Sequence, residues 1–175
     1  MHSRLHVALL GHCECESVRA LTSAITTLPA ATEEGMTNRR QGVVGWLDRA
    51  PNTEWLFERI EHFGFDYARR HGIDVDALEN PLQYVEYGCG TSFDWHIDTG
   101  TPDTLYRKVT ISVQLTPGGA YSGGNLEFVG ELGTHLRRLE GTATAFSSAL
   151  GHRVTPITAG ARAALVGWMC GPPYR

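Results

Sequence analysis

The sequence predicts an all-β core, a β-sandwich or jelly roll, with N-terminal helices packed outside it. Three observations carry that reading. Before residue 81, apolar residues recur at helical spacing in two segments. After residue 81 the chain breaks into about eight short extended runs separated by Gly, Pro and Ser clusters. Within them, Val109, Ile111, Val113 and Leu115 alternate with Thr110, Ser112 and Gln114, the period of a half-buried strand. A chain of 175 residues is long enough to bury such a core as one domain without staples.

The elements follow in order. Val18, Leu21, Ile25 and Leu28 share one face of a first helix, which Pro29 ends. Residues 30–41 are small and polar, hence a loop, and 42–47 form a short strand. Pro51 and Asn52 open a second helix whose face is Leu56, Ile60, Phe63 and Tyr67, and which stops at His71-Gly72. The helical part thus spans about residues 1–80 and the jelly-roll core about 81–171. Strands are expected at 82–87, 93–97, 108–115, 126–129, 142–146, 153–157 and 162–168. Gly88-Cys89-Gly90 and Pro117-Gly118-Gly119 turn the chain between them.

Composition excludes several function classes. An apolar fraction of 42% and a charged fraction of 19% fit a soluble globular protein and argue against long disorder. No apolar run approaches the roughly 20 residues of a membrane span, and residues 7–10 are too short for a signal-peptide core. The expectation is a cytoplasmic protein without a membrane partner. A net charge of −4 argues against binding nucleic acid through a basic surface. Four cysteines do not make a disulfide framework at this size. Cys13 and Cys15 lack the usual metal-binding spacing and read as thiols near a helix start.

Chemistry concentrates in the strand-rich part. In Trp95-His96-Ile97-Asp98, side chains two apart on an extended segment point the same way, so His96 and Asp98 can approach one ion. His152 lies on a distant strand that a jelly roll can bring alongside. Two imidazoles and a carboxylate on one face of a metal form the triad of non-haem iron(II) oxygenases. His135, the nearest competing histidine, sits in a charged Gly-Thr-His-Leu-Arg-Arg segment that reads as an exposed loop. Arg162, ten residues past His152, interrupts an apolar strand of Ala161, Ala163, Ala164 and Leu165. A buried guanidinium needs a partner. Either a cosubstrate carboxylate supplies it, or an internal acid such as Glu86 or Glu127 does.

Together, His96-x-Asp98, His152 and Arg162 resemble the 2-oxoglutarate and iron(II)-dependent dioxygenases, in their prolyl 4-hydroxylase-like branch. Gln83-Tyr84-Val85-Glu86-Tyr87-Gly88, Arg107-Lys108 and its alternating strand, Tyr121-Ser122-Gly123-Gly124-Asn125-Leu126 and Gly167-Trp168 resemble that branch as well. The likeness spans about residues 81–171 and loosens before it. It implies a double-stranded β-helix with Fe(II) on His96, Asp98 and His152. The cosubstrate 2-oxoglutarate would place its C5-carboxylate on Arg162 and take a hydrogen bond from Tyr87. Gln114 stands where some relatives carry a tyrosine that contacts 2-oxoglutarate. The implied activity is hydroxylation of a C–H bond of a prolyl, peptidyl or small amino-acid-like substrate. It would consume O2 and release succinate and CO2, with room for ascorbate (vitamin C) as an accessory.

Two other readings stay open on the residues: a cupin-like metalloprotein of other chemistry, and a non-enzymatic jelly-roll binding module. The first has no need of Arg162 in its strand, and the second has no reason to gather His96, Asp98 and His152. On the prime substrate, Arg40, Trp46, Trp95 and Trp168 are channel candidates, set against plain roles as core aromatics and a solvated arginine. Loops 32–41 and 99–106 are expected to flank the mouth of the barrel.

Overall fold

The computed structural model describes residues 4–30, 40–130 and 138–173. In chain order the elements are β1 (Leu5–Ala8), α1 (His12–Ser23), β2 (Leu28–Pro29), β3 (Val43–Leu47), α2 (Glu54–His71), β4 (Ala77–Leu78) and β5 (Leu82–Tyr87). There follow β6 (Phe93–His96), β7 (Arg107–Gln114), β8 (Tyr121–Gly123), β9 (Leu126–Phe128), β10 (Thr142–Ser147), β11 (His152–Val154), β12 (Ile157–Gly160) and β13 (Arg162–Cys170). The large sheet runs β1-β10-β7-β13-β5-β3-β2, with β4 also on β13. Strands β6-β11-β9 and the pair β12-β8 make the smaller opposing sheets.

Strand alternation sorts the large sheet into two faces. Val109, Ile111, Val113 and Leu115 project to one side with Ala143, Ala145, Leu165 and Met169, and join the core that contains Leu56, Phe57, Ile60 and Phe63 of α2. Thr110, Ser112, Gln114, Arg162 and Trp168 project to the other, toward the smaller sheets. That inner face is polar, and it is where the chemistry lies. Helix α2 approaches the sheet closely because Gly64 has no side chain: a Cβ there would lie 2.4 Å from Met169 Sδ. The helix ends on Gly72 in the left-handed conformation, φ 64°, the usual glycine stop.

The sequence reading places the helical and strand-rich parts well, with four differences. Residues 1–80 hold more than the expected helices and the expected strand at 42–47, which is β3 on β5: β1 forms the sheet edge on β10. Four residues, Leu5 to Ala8, are too few for alternation to declare a strand against a helix. Helix α1 begins at His12 and ends at Ser23, earlier than the apolar spacing of Val18 to Leu28 suggests. The expected strand 153–157 splits into β11 and β12 at Thr155-Pro156. Short β2, β4 and β8 were not foreseen.

Gly141 locks the first strand to the barrel. Its carbonyl accepts from Leu9 N at 2.9 Å and Leu10 N at 3.0 Å. Its φ is +76°, and a Cβ would lie 1.9 Å from the Leu10 carbonyl oxygen. Gly141→Ala meets both a strained backbone and a backbone clash, and is expected to cost at least about 2 kcal/mol. Thermal unfolding checks this; an unchanged Tm would show that the segment gives way freely.

Candidate metal centre and its cleft

The centre is assembled by strand register. In the antiparallel pair β6 and β11, His152 sits directly opposite His96, and the ring centroids are 4.1 Å apart. Each imidazole is oriented from behind. His96 Nδ1 lies 2.8 Å from the Asp94 carbonyl, and His152 Nδ1 lies 2.9 Å from that of Leu150. A carbonyl only accepts, so both Nδ1 atoms carry the proton and both Nε2 atoms keep a lone pair. Those lone pairs face one carboxylate: Nε2 of His96 is 3.5 Å from Asp98 Oδ1, and Nε2 of His152 is 3.6 Å from Asp98 Oδ2. The three ligand atoms lie within 4.8 Å of one another, the only such group of His, Cys, Asp and Glu among the described residues.

Packing holds the rings in place. Phe93 stacks on His96 at 3.5 Å, and Phe146 meets His152 edge-on at 4.8 Å. Asp98 is fixed twice. Its backbone N–H donates to the Ser148 carbonyl at 2.9 Å, and Oδ2 accepts from Thr110 Oγ1 at 2.7 Å. Thr110 in turn sits 3.0 Å from Ser148 Oγ. Burial pushes the Asp98 carboxyl up, but His152 and His96, when protonated, and the Thr110 hydroxyl outweigh it and hold the group well below the usual carboxylate range. Burial pushes His152 down, toward the neutral form that ligates. Two neutral imidazoles and one carboxylate on a common side suit a divalent first-row ion such as Fe(II).

Thr110 and Ser148 were not singled out in the sequence, although Thr110 stands on the polar side of the alternating strand. Thr110→Val removes the hydroxyl and keeps the shape. It is expected to weaken metal binding by roughly 10- to 100-fold. Metal titration followed by calorimetry measures it, and unchanged affinity would show that Asp98 is held by its backbone alone.

The three residues open into a cleft of about 960 Å³. Arg40, Tyr87, Trp95, Arg162 and Trp168 line it, as do Thr99, Gly100, Thr101, Asp103 and Thr104 of the loop after Asp98. That loop therefore flanks the opening as expected, whereas residues 31–39 of the other loop lie outside the described residues, as does His135. Tyr87 is the register partner of Arg162 across β5 and β13. Arg162 is 5% exposed, and its Nε donates to Gln114 Oε1 at 3.1 Å. No acid reaches it among the described residues. Glu86 accepts from Tyr84 Oη at 2.6 Å, and Glu127 pairs with Arg153 at 2.8 Å. The internal ion pair considered above is thus absent there, and a buried cation is left facing the cleft.

The remaining candidates separate. Gln114 does not line the cleft; it braces Arg162 from behind and donates to Tyr121 Oη at 3.1 Å. Trp168 is 3% exposed and lies under the Arg107 guanidinium at 3.7 Å, which Glu79 holds through two bonds of 2.8 Å. Trp95 carries Arg153 over its ring at 4.8 Å. Arg40 donates to Gln83 Oε1 at 2.6 Å and lies over Phe93 at 4.9 Å. Trp46 stands opposite Gln83 on the sheet but is not among the cleft residues, and it is 45% exposed. Cys13 is exposed on α1 and Cys15 is buried, with burial pushing its thiol up to about 11. Neither joins a ligand group.

A jelly roll holding two histidines and a carboxylate at one cleft defines the class of facial-triad metalloproteins. The profile of the 2OG-Fe(II) oxygenase superfamily matches residues 82–170, and the chain belongs to that family. A PKHD-type hydroxylase of Hyphomonas neptunium is 32% identical over 121 residues, 63% of this chain and 54% of that protein. A PKHD-type hydroxylase of Idiomarina loihiensis is 29% identical over 159 residues, 85% of this chain and 72% of that one. The chain spans about half the length of several such relatives. Among solved structures, a prolyl-4-hydroxylase of Pseudomonas putida shares the fold with a TM-score of 0.78 at 18% identity, over 98% of this chain and 94% of that one. A prolyl hydroxylase of Trichoplax adhaerens, in complex with a hypoxia inducible factor peptide fragment, gives 0.77 at 16%, over 98% and 84%. No helix of the described residues is long and apolar enough to cross a membrane.

Proposed function

We propose that the protein is a 2-oxoglutarate-dependent dioxygenase that hydroxylates a C–H bond of a prolyl, peptidyl or small amino-acid-like substrate. His96, Asp98 and His152 hold Fe(II), and Arg162 takes the C5-carboxylate of 2-oxoglutarate, with Tyr87 beside it. The observation that carries this is the pairing of two features in one cleft: three converged ligand atoms, and a buried guanidinium with no acid of its own among the described residues. Fe(II) with 2-oxoglutarate supplies O2 activation there, with succinate and CO2 as coproducts and a hydroxylated substrate as product.

The chain's own residues do the rest. The Asp94 and Leu150 carbonyls set the tautomer of both histidines, and Thr110 fixes the carboxylate. Arg162 orients the cosubstrate by charge. Phe93, Phe146 and Leu126 make the dry wall of the site, and the Thr99–Thr104 loop stands at its entrance. The hydroxylase names of the relatives and the peptide seated on the Trichoplax neighbour support a peptidyl substrate. We assign the cytoplasm as its setting and ascorbate as an accessory for sustained turnover.

The test is direct. Fe(II)-loaded protein incubated with 2-oxoglutarate and O2 is assayed for succinate, first alone, then with a panel of amino acids and prolyl peptides. Succinate release with one panel member gaining the mass of an oxygen atom is the expected result. Neither iron binding nor succinate release under any condition would overturn the reading.

A further inference from the structure

Beside Arg162 lies a second, smaller hollow of about 30 Å³, whose lining includes Ser112, Gln114, Tyr121, Thr142, Arg138 and Arg162. Ser112, Leu126 and Arg162 also line the large cleft, so the two spaces adjoin. The lining holds hydroxyls, amides and two guanidiniums, and no carboxylate. Arg138 is half-buried, with its guanidinium 3.9 Å over the Tyr121 ring and Nη2 donating to the Tyr121 carbonyl at 2.6 Å. It has no acid partner among the described residues. Its neighbours run without a break to Arg162: Tyr121 Oη accepts from Gln114 Nε2, and Gln114 Oε1 accepts from Arg162 Nε. Gly124, at φ +63°, has no room for a side chain: a Cβ there would lie 2.3 Å from Ile157 Cδ1 and 3.3 Å from both Arg162 Cδ and a Tyr121 ring carbon.

Two guanidiniums lining one small hollow repel each other, and partial burial raises the cost of a charge with no acid beside it. An anion removes both penalties at once. The chamber has room for roughly one or two waters, of the order of a carboxylate head. Hydroxyls of Thr142, Thr144 and Ser112 add donors around it. The segment around Arg138 reads as an exposed loop in the sequence, so nothing there marks it as part of a site.

We infer that Arg138 is a second cation for the distal carboxylate of the cosubstrate, beside Arg162. This rests on the proposed use of 2-oxoglutarate. Arg138 acts by holding the ligand and not by touching the metal.

The test is binding, without turnover. Protein loaded with Mn(II) under argon is titrated by calorimetry with 2-oxoglutarate and with 2-oxopentanoate, which has the same 2-oxo acid end and a methyl group in place of the distal carboxylate. In Arg138→Met, affinity for 2-oxoglutarate is expected to fall about tenfold or more, while 2-oxopentanoate stays within about twofold. Arg138→Lys is expected to recover most of the loss. Unchanged affinity of Arg138→Met for 2-oxoglutarate overturns the proposal, and so does equal weakening of both ligands, which marks a merely structural role. Arg138→Gln carries the same comparison if the methionine variant does not fold. Absence of 2-oxoglutarate binding in the wild type takes down the proposed function and this inference together. Binding that collapses in Arg162→Leu but is untouched in Arg138→Met removes the inference and leaves the function standing.

Discussion

His152→Ala is expected to lose iron and turnover together while keeping the fold. His152 supplies one of three ligand atoms and is buried opposite His96. Its removal leaves one imidazole and one carboxylate, too few to hold a divalent ion against water. Losing an outer-shell partner of a ligand already costs roughly 10- to 100-fold in affinity, so losing the ligand itself should exceed about 100-fold. The alanine also leaves a hole beside Phe146 and Phe128, which pack on the ring. A stability loss is therefore expected too, and it must be separated from the metal effect. His152→Gln fills most of that space and retains a polar atom, so it should fold better while binding iron nearly as poorly. Metal analysis after dialysis, with succinate release measured in parallel, decides the matter. Full iron occupancy and wild-type turnover in His152→Ala would remove His152 from the centre and leave the His96–Asp98 pair without its third member.

What the sequence made legible follows from the range of each signal. Two members of the triad were readable because they are two residues apart on one extended segment, and the third, His152, only in combination with them and with Arg162 ten residues on. Arg162 was readable as well, since a lone cation in an alanine and valine strand demands a partner. The polar face of β7 was visible too, and its two-residue period placed Thr110, Ser112 and Gln114 together. What could not be read is whatever depends on two distant segments meeting. The Asp94 and Leu150 carbonyls that orient the two imidazoles are only two residues away, but a carbonyl's direction is set by the backbone and not by residue type, so they could not be read either. Nothing local distinguishes Arg138 from a solvated arginine, because its value comes from Tyr121 and Gln114 on other strands. Trp46 shows the converse. An aromatic in a short strand near the expected mouth invites a binding role, yet Trp46 stands one strand further out than Gln83, which lines the cleft, and is itself outside the lining.

Arg162→Leu is expected to abolish tight 2-oxoglutarate binding and leave the iron centre intact. Leucine preserves the bulk of the strand and removes the charge. The lost charge-assisted contacts are worth about 2 to 4 kcal/mol, or roughly 30- to 1000-fold in affinity. Two opposite effects act on the protein without ligand. Gln114 Oε1 loses its donor, which costs about 1 to 3 kcal/mol if no water replaces it. Against that, a buried cation with no acid partner disappears, and its burial was itself unfavourable. The unliganded variant should therefore unfold near the wild-type temperature. The difference emerges on adding 2-oxoglutarate. A ligand that binds only the folded state raises Tm, so the wild type is expected to gain stability with rising cosubstrate and the variant to gain almost none. Iron content should be equal in the two, because Arg162 ligates nothing. Two outcomes would sink the assignment: an unchanged apparent KM for 2-oxoglutarate, which means the carboxylate is held elsewhere in the cleft, or a loss of iron along with cosubstrate, which means that Arg162 supports the metal centre instead of the acid that enters it.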